Sequence, residues 1–153
     1  MEQIYFVCET CGNMVEALKE SGVAMMCCGK PMMKLVACST DGVREKHVPS
    51  VSVDGCKVNV VIGEVEHPMT EEHHIEWISI ETKHGSQKKC LKPGDAPKAT
   101  FIITDDDELI AVYEYCNIHG LWKVVCDGSK KTEKEQEACA RKKSEMNYNH
   151  QES

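Results

Sequence analysis

Aromatic side chains are scarce in this chain of 153 residues, which has two Phe, two Trp and four Tyr. A core so poor in rings has to be built from Val and Ile, and a small lobe gains most from a metal or disulfide cross-link. Long apolar runs are missing too, since no stretch approaches the roughly 20 apolar residues of a membrane span. The start, Met-Glu-Gln-Ile-Tyr-Phe-Val-Cys, has neither the basic nor the apolar region of a secretory signal. Basic charge is in deficit, with 18 Lys and Arg against 25 Asp and Glu and a net charge of −7. That balance disfavours non-specific nucleic-acid binding and leaves a local positive group as the means of attracting an anion. The expectation is a soluble, cytoplasmic protein that binds neither nucleic acid nor membrane. What the chain has in excess is cysteine, ten residues in all. In a reducing cytosol such usage points to metal ligation or redox chemistry ahead of structural disulfides.

Composition divides the chain into three regions. Residues 1–36 hold Cys8, Cys11, Cys27 and Cys28, with Gly12, Gly29 and Pro31 as turn punctuation. So short a unit has too little apolar surface to fold unaided, and a bound metal is the economical explanation. Residues 37–126 alternate strand and turn signals. Val51–Val53, Cys56–Ile62, Ile75–Glu81, Thr100–Thr104 and Leu109–Tyr115 read as strands, separated by turns at Asp54-Gly55, His84-Gly85-Ser86, Lys92-Pro93-Gly94-Asp95 and Asp105-Asp106-Asp107. This spacing predicts an all-β antiparallel sandwich of Greek-key type with function on its loops. Residues 127–153 carry six basic and six acidic side chains and read as a charged, flexible or partly helical tail. Glu135, Glu137, Arg141 and Lys142 stand there at helical pairing distances.

Cys8-x-x-Cys11 and the adjacent Cys27-Cys28 offer four thiolates, a set that suits a tetrahedral zinc or iron site. Consecutive side chains such as Cys27 and Cys28 diverge, so both reach one ion only with a distorted backbone. A zinc-stapled lobe without redox function and a pair of disulfides are the alternatives. The run Tyr5-Phe-Val-Cys8-Glu-Thr-Cys11-Gly-Asn-Met-Val-Glu16, followed by Cys27-Cys28-Gly-Lys-Pro-Met32, resembles the desulforedoxin-type, rubredoxin-like iron module at the front of desulfoferrodoxins. The resemblance implies one iron held by the four cysteines.

A second constellation is spread along the middle region: His47, His67, the pair His73-His74, and Cys116-x-x-His119. Imidazoles with one thiolate suit a redox-active first-row metal. Isolated surface or core histidines, or a Cys-His nucleophile pair, are the plainer readings. Glu45-Lys46-His47-Val-Pro49, His67-Pro-Met-x-x-x-His73, Ile75-Glu-Trp77-Ile, Leu91-Lys-Pro-Gly-Asp-Ala-Pro97 and Glu114-Tyr-Cys116-Asn-Ile-His-Gly120 are similar in order and spacing to the catalytic domain of superoxide reductases.

With the N-terminal module, this resemblance to the two-iron desulfoferrodoxin class covers residues 1 to about 125 and implies an immunoglobulin-like sandwich. It implies a second iron with His47, His67, His73 and His119 in a plane and Cys116 as axial thiolate. His74 stands beside His73 as the competing ligand. It implies that Lys46 guides superoxide to the iron, that Glu45 occupies the sixth position of the oxidised resting state, and that a rubredoxin-like protein returns the electron. A homodimer joined through the N-terminal modules is also implied, and the first metal is expected chiefly to stabilise its lobe and the dimer contact. The contrasting reading is a non-enzymatic electron carrier or structural metal protein centred on the four-cysteine site. Cys38, Cys56, Cys90, Cys126 and Cys139 have no metal-ligand spacing; those on strands are expected to be buried thiols, and Cys139 to be exposed.

Overall fold

The computed structural model describes residues 2–38 and 47–126. Glu45, Lys46, Cys139 and the expected tail lie outside the described residues. Every element named among them is a strand, and no helix there is long and apolar enough to cross a membrane.

Five short strands build the N-terminal lobe: β1 (Tyr5–Val7), β2 (Met14–Glu16), β3 (Met26–Cys27), β4 (Lys30–Pro31) and β5 (Met33–Lys34). They form a three-stranded sheet in the order β2-β1-β5 and a two-stranded ribbon β3-β4. Each pair carries two or three residue partners. Pairing so short is marginal alone, as the sparse apolar content of this region predicts.

The larger lobe is an antiparallel sandwich. One sheet has the order β10-β7-β6, built from β6 (Pro49–Asp54), β7 (Lys57–Ile62) and β10 (Lys98–Ile102). The facing sheet has the order β12-β11-β8-β9, built from β8 (Ile75–Thr82), β9 (Ser86–Cys90), β11 (Leu109–Cys116) and β12 (Gly120–Val125). Val58, Val60 and Ile62 of β7 pack across the interior against Ile78, Ile80 and Val112. Each such aliphatic side chain contributes roughly 1.5–3 kcal/mol on burial. An exposed ion pair such as Lys34–Glu20 contributes about 0–1 kcal/mol, so packing dominates.

The expected strands are present with shifted ends, and two more appear. β9 escapes a hydrophobic reading because all five of its residues are exposed. It is a sheet edge, and there the side chains of Gln87 and Lys89 donate to the carbonyls of Ile102 and Thr100 on β10, linking the two sheets. Cys90 lies on this edge and is exposed, which corrects the expectation of a buried strand thiol. Cys56 falls in the two-residue turn that closes the Asp54–Lys57 pairing and not on a strand, with Gly55 at φ +64°. β12 is the other addition, and Cys38 runs beside it through a parallel bridge to Trp122.

β8 is buried on both faces because the N-terminal lobe covers the outer one. Tyr5, Trp77, Ala111, Tyr113 and Leu121 form a second cluster there. Gln3 bonds the Ile80 carbonyl at 3.0 Å and accepts from Ser79 at 2.8 Å. Lys88 lies over the rings of Tyr5 and Trp77 and donates to the Tyr5 hydroxyl at 2.8 Å. Four of the chain's eight Phe, Trp and Tyr residues, Tyr5, Trp77, Tyr113 and Tyr115, are thus gathered where the two lobes meet.

Candidate metal centres

In the N-terminal lobe the turn after β1 folds back through Gly12 N–H to Cys8 O at 2.9 Å and Cys8 N–H to Asn13 O at 2.8 Å. Gly12, at φ +79°, supplies the left-handed backbone that this reversal requires. The second pair solves the divergence of neighbouring side chains in a specific way: Cys28 itself takes φ +51°, unusual for a residue with a Cβ, and Gly29 follows at +72°. The sulfurs of Cys8, Cys11, Cys27 and Cys28 then lie within 4.8 Å of one another, and all four are free thiols. The Cys11–Cys27 separation is 3.6 Å. A tetrahedron with metal–sulfur bonds of about 2.3 Å has edges of roughly 3.8 Å, so the donor set fits a metal and not a disulfide. Backbone N–H groups of Cys11 and Thr10 bring the Cys8 thiol down to about 6, whereas crowding by the Cys11 and Cys8 sulfurs pushes Cys28 up to about 12. Only a bound cation would let all four carry negative charge so close together.

The second group gathers at one end of the sandwich from three separate segments. On the inner face of β11, Glu114 and Cys116 follow the period of two. A bulge at the strand end moves the β8 partner from Trp77 to Ile75 between Tyr115 and Cys116, re-aiming the thiol. A three-residue loop then returns to Gly120 at φ +81°. That loop presents the His119 backbone N–H to the Cys116 sulfur at 3.5 Å and the His119 ring Nδ1 to the same sulfur at 3.8 Å. Burial pushes the Cys116 thiol up, partly opposed by the N–H groups of His119 and Ile118.

The histidines close a ring in the order His47, His67, His73, His119. Successive ring centroids are 4.6, 4.7, 5.0 and 4.7 Å apart, and the His47–His73 diagonal is 6.3 Å. Their donor atoms and the Cys116 sulfur all lie within 4.8 Å of one another. His47 Nε2 and His119 Nδ1 approach to 3.0 Å, the separation of two nitrogens bound at right angles with bonds of about 2.1 Å. His67 donates from Nδ1 to the Pro68 carbonyl at 2.6 Å, which sets its tautomer. His74 stays outside: its ring nitrogen meets the Thr70 carbonyl at 3.0 Å, and His73 is the member of the cluster.

Supporting residues emerge that the ligand pattern does not reveal. Glu114, fully buried, accepts from His47 Nδ1 at 3.3 Å, and burial pushes its carboxyl up to about 9. The clue in the sequence is its place two residues before Cys116 on an alternating strand. Asn117 clamps the His73 loop to the Cys116 loop, accepting from the His74 backbone at 2.9 Å and donating to Glu72 O at 3.0 Å. The site is sealed on the side of His47, His67 and Cys116 and open at His119, with His73 half-buried.

A four-cysteine knuckle and a separate cluster of four imidazoles and one thiol, on an all-β frame, define two candidate metal centres of the kind found in iron-binding proteins. Comparison with known proteins gives the family. The "Desulfoferrodoxin, N-terminal domain" model matches residues 1–38 and the "Desulfoferrodoxin" model matches residues 39–125. Desulfoferrodoxin from Nitratidesulfovibrio vulgaris is 46% identical over 118 residues, covering 77% of this chain and 92% of that protein. The superoxide reductase from Pyrococcus horikoshii is 37% identical over 109 residues, covering 60% of this chain and 95% of that one. The crystal structure of the superoxide reductase from Treponema pallidum superposes with a TM-score of 0.69 at 35% identity, covering 80% of this chain and 97% of that chain. The chain belongs to the desulfoferrodoxin family.

Proposed function

We propose that this protein is a superoxide reductase, with its active centre made by His47, His67, His73, His119 and Cys116. The observation that carries the reading is the closed ring of four imidazoles joined by a buried thiol, in a chain of the desulfoferrodoxin family. The reaction consumes one superoxide, one electron and two protons and gives one hydrogen peroxide. Iron bound by these five donors supplies the electron and an electrophilic point for the anion.

The chain's own residues do the rest. Glu114 and the Pro68 carbonyl hold the rings of His47 and His67 in the tautomer that leaves Nε2 for the metal. N–H groups of His119 and Ile118 stabilise negative charge on the Cys116 sulfur. The exposed edge at His119 admits the anion and lets water deliver protons. Lys46, next to His47, supplies local positive potential in a protein of net charge −7 and hydrogen-bonds the incoming anion. Glu45 is a carboxylate that competes with water and substrate for the centre. Cys8, Cys11, Cys27 and Cys28 hold a second iron, replaceable by zinc, giving two metals per chain. A rubredoxin-like protein returns the electron, the chain works in the cytoplasm, and two copies pair through their N-terminal lobes.

Anaerobic stopped-flow mixing of the reduced, iron-loaded protein with superoxide tests this. Net oxidation of the protein with peroxide release is expected. Lys46→Ala should slow the second-order step and flatten its salt dependence, and His73→Ala should lose iron from the centre. Dismutation of superoxide without net oxidation of the protein would overturn the reading.

A further inference from the structure

Trp122 stands against the centre in a way that neither the ligand pattern nor the reaction explains. Its indole is stacked on the His47 imidazole, with centroids 4.9 Å apart and planes 13° from parallel. On β12 it is the direct cross-strand partner of Glu114 on β11, and Glu114 holds the other end of the same imidazole through Nδ1. His47 lies just before β6 and outside any strand, so no sheet ladder holds it. β11 and β12 do so from outside, one by a hydrogen bond in the ring plane and one by a surface laid on the ring face. The hydrogen bond fixes the direction of Nδ1, and the stack restrains rotation of the ring plane about it.

We propose that Trp122 is a positioning residue for the metal centre: its indole face fixes the plane of the His47 imidazole and so aims Nε2 at the point shared with His119 Nδ1, 3.0 Å away. Two features separate this from ordinary core filling. Trp122 is 3% exposed, yet its Nε1 has no hydrogen-bond partner among the described residues. A buried indole normally finds one, so here the flat face is what the position uses. The segment behind it is also fixed, since the Cys38 backbone N–H donates to the Leu121 carbonyl at 2.8 Å and the Cys38 carbonyl accepts from the Lys123 N–H at 3.3 Å. The ring therefore has a rigid back and a ligand in front. The inference rests on His47 being a metal ligand.

The test is titration of the full-length apoprotein with Co²⁺ against a chromophoric chelator, resolving the four-cysteine and the histidine sites by their absorption. The wild type reports on the metal reading itself: absence of a histidine-site equivalent would defeat that reading and not this one. With wild-type binding established, Trp122→Leu should weaken the histidine-site equivalent by about 10- to 100-fold, the usual scale for residues that orient ligands, with the four-cysteine equivalent unchanged. Because the N–H is unpartnered, Trp122→Phe should restore most of the affinity through its ring. Hyperfine-shifted proton resonances of the Co²⁺-loaded Trp122→Phe protein give a readout that survives poor folding of the Leu variant: the His47 ring signals should move while those of His67 stay. Equal affinity in wild type and Trp122→Leu, a Phe variant as weak as Leu, or unmoved His47 signals would each overturn the proposal.

Discussion

The backbone N–H of His119 points at the Cys116 sulfur at 3.5 Å, and the His119 ring returns to within 3.8 Å of the same atom. The last residue of β11 and the three-residue loop that follows it therefore supply two donors and a stabilising dipole at once. Donors that come from one tight loop are held by local geometry, whereas His47 depends on groups from elsewhere in the fold.

That dependence makes Glu114 sensitive. Glu114→Ala should lower iron affinity at the histidine site by about 10- to 100-fold, and Glu114→Gln, which keeps an oxygen for His47 Nδ1, should fall between the two. Iron content after dialysis against a graded chelator series measures the order.

Cys11→Ser should separate stability from catalysis. Removing one sulfur from the N-terminal set weakens its metal and lets that lobe unfold at a temperature lower by roughly 5 °C or more. Superoxide reduction should stay largely intact. Calorimetry and stopped-flow on the same sample check both halves, and loss of turnover with the histidine-site iron still bound would contradict the prediction.

Gly29→Ala should weaken the same lobe without a steric clash. A Cβ there meets nothing within 4 Å, so the cost is the left-handed backbone at φ +72°, roughly 1–2 kcal/mol. Chelator-dependent unfolding of the metal-loaded variant should show it, with the histidine site unaffected.

Alkaline stability should report on Tyr113. Burial, and then the Glu81 carboxylate that accepts its hydroxyl at 2.9 Å, push Tyr113 up to about 12 from 10.0. A raised folded-state value means that the unfolded chain loses this proton first. The contribution is therefore complete below about pH 10 and is lost as pH rises toward about 12, at most roughly 3 kcal/mol. Tyr113→Phe, which has no proton to lose, should show a shallower decline across that window in urea unfolding.

Much of the fold can be read along the chain. The β7 run from Lys57 to Ile62 announces itself through alternating Val and Ile, and Asp54-Gly55 announces its turn. β9 could not be found that way, because an exposed edge strand of Ser, Gln, Lys and Cys has no apolar side to display. β8 is misleading for the opposite reason: Ser79 and Glu81 look like a solvent face and are buried along with Trp77, while Gln3 and Tyr5 of the N-terminal lobe pack on Ser79 and Trp77.

The sequence by itself determined the donor types: four cysteines in two close pairs, and histidines followed by a Cys-x-x-His loop. Short-range spacing and side-chain chemistry are enough for that. Only the tertiary structure decided that His73 and not His74 joins the cluster, that Cys28 turns left-handed to bring two neighbouring sulfurs together, and that Glu114 and Trp122 hold His47 from two directions. The physical reason is that the histidine relationships join segments dozens of residues apart, with ring orientation set by packing and hydrogen bonds across strands, and that the backbone sign at Cys28 is not fixed by residue type alone.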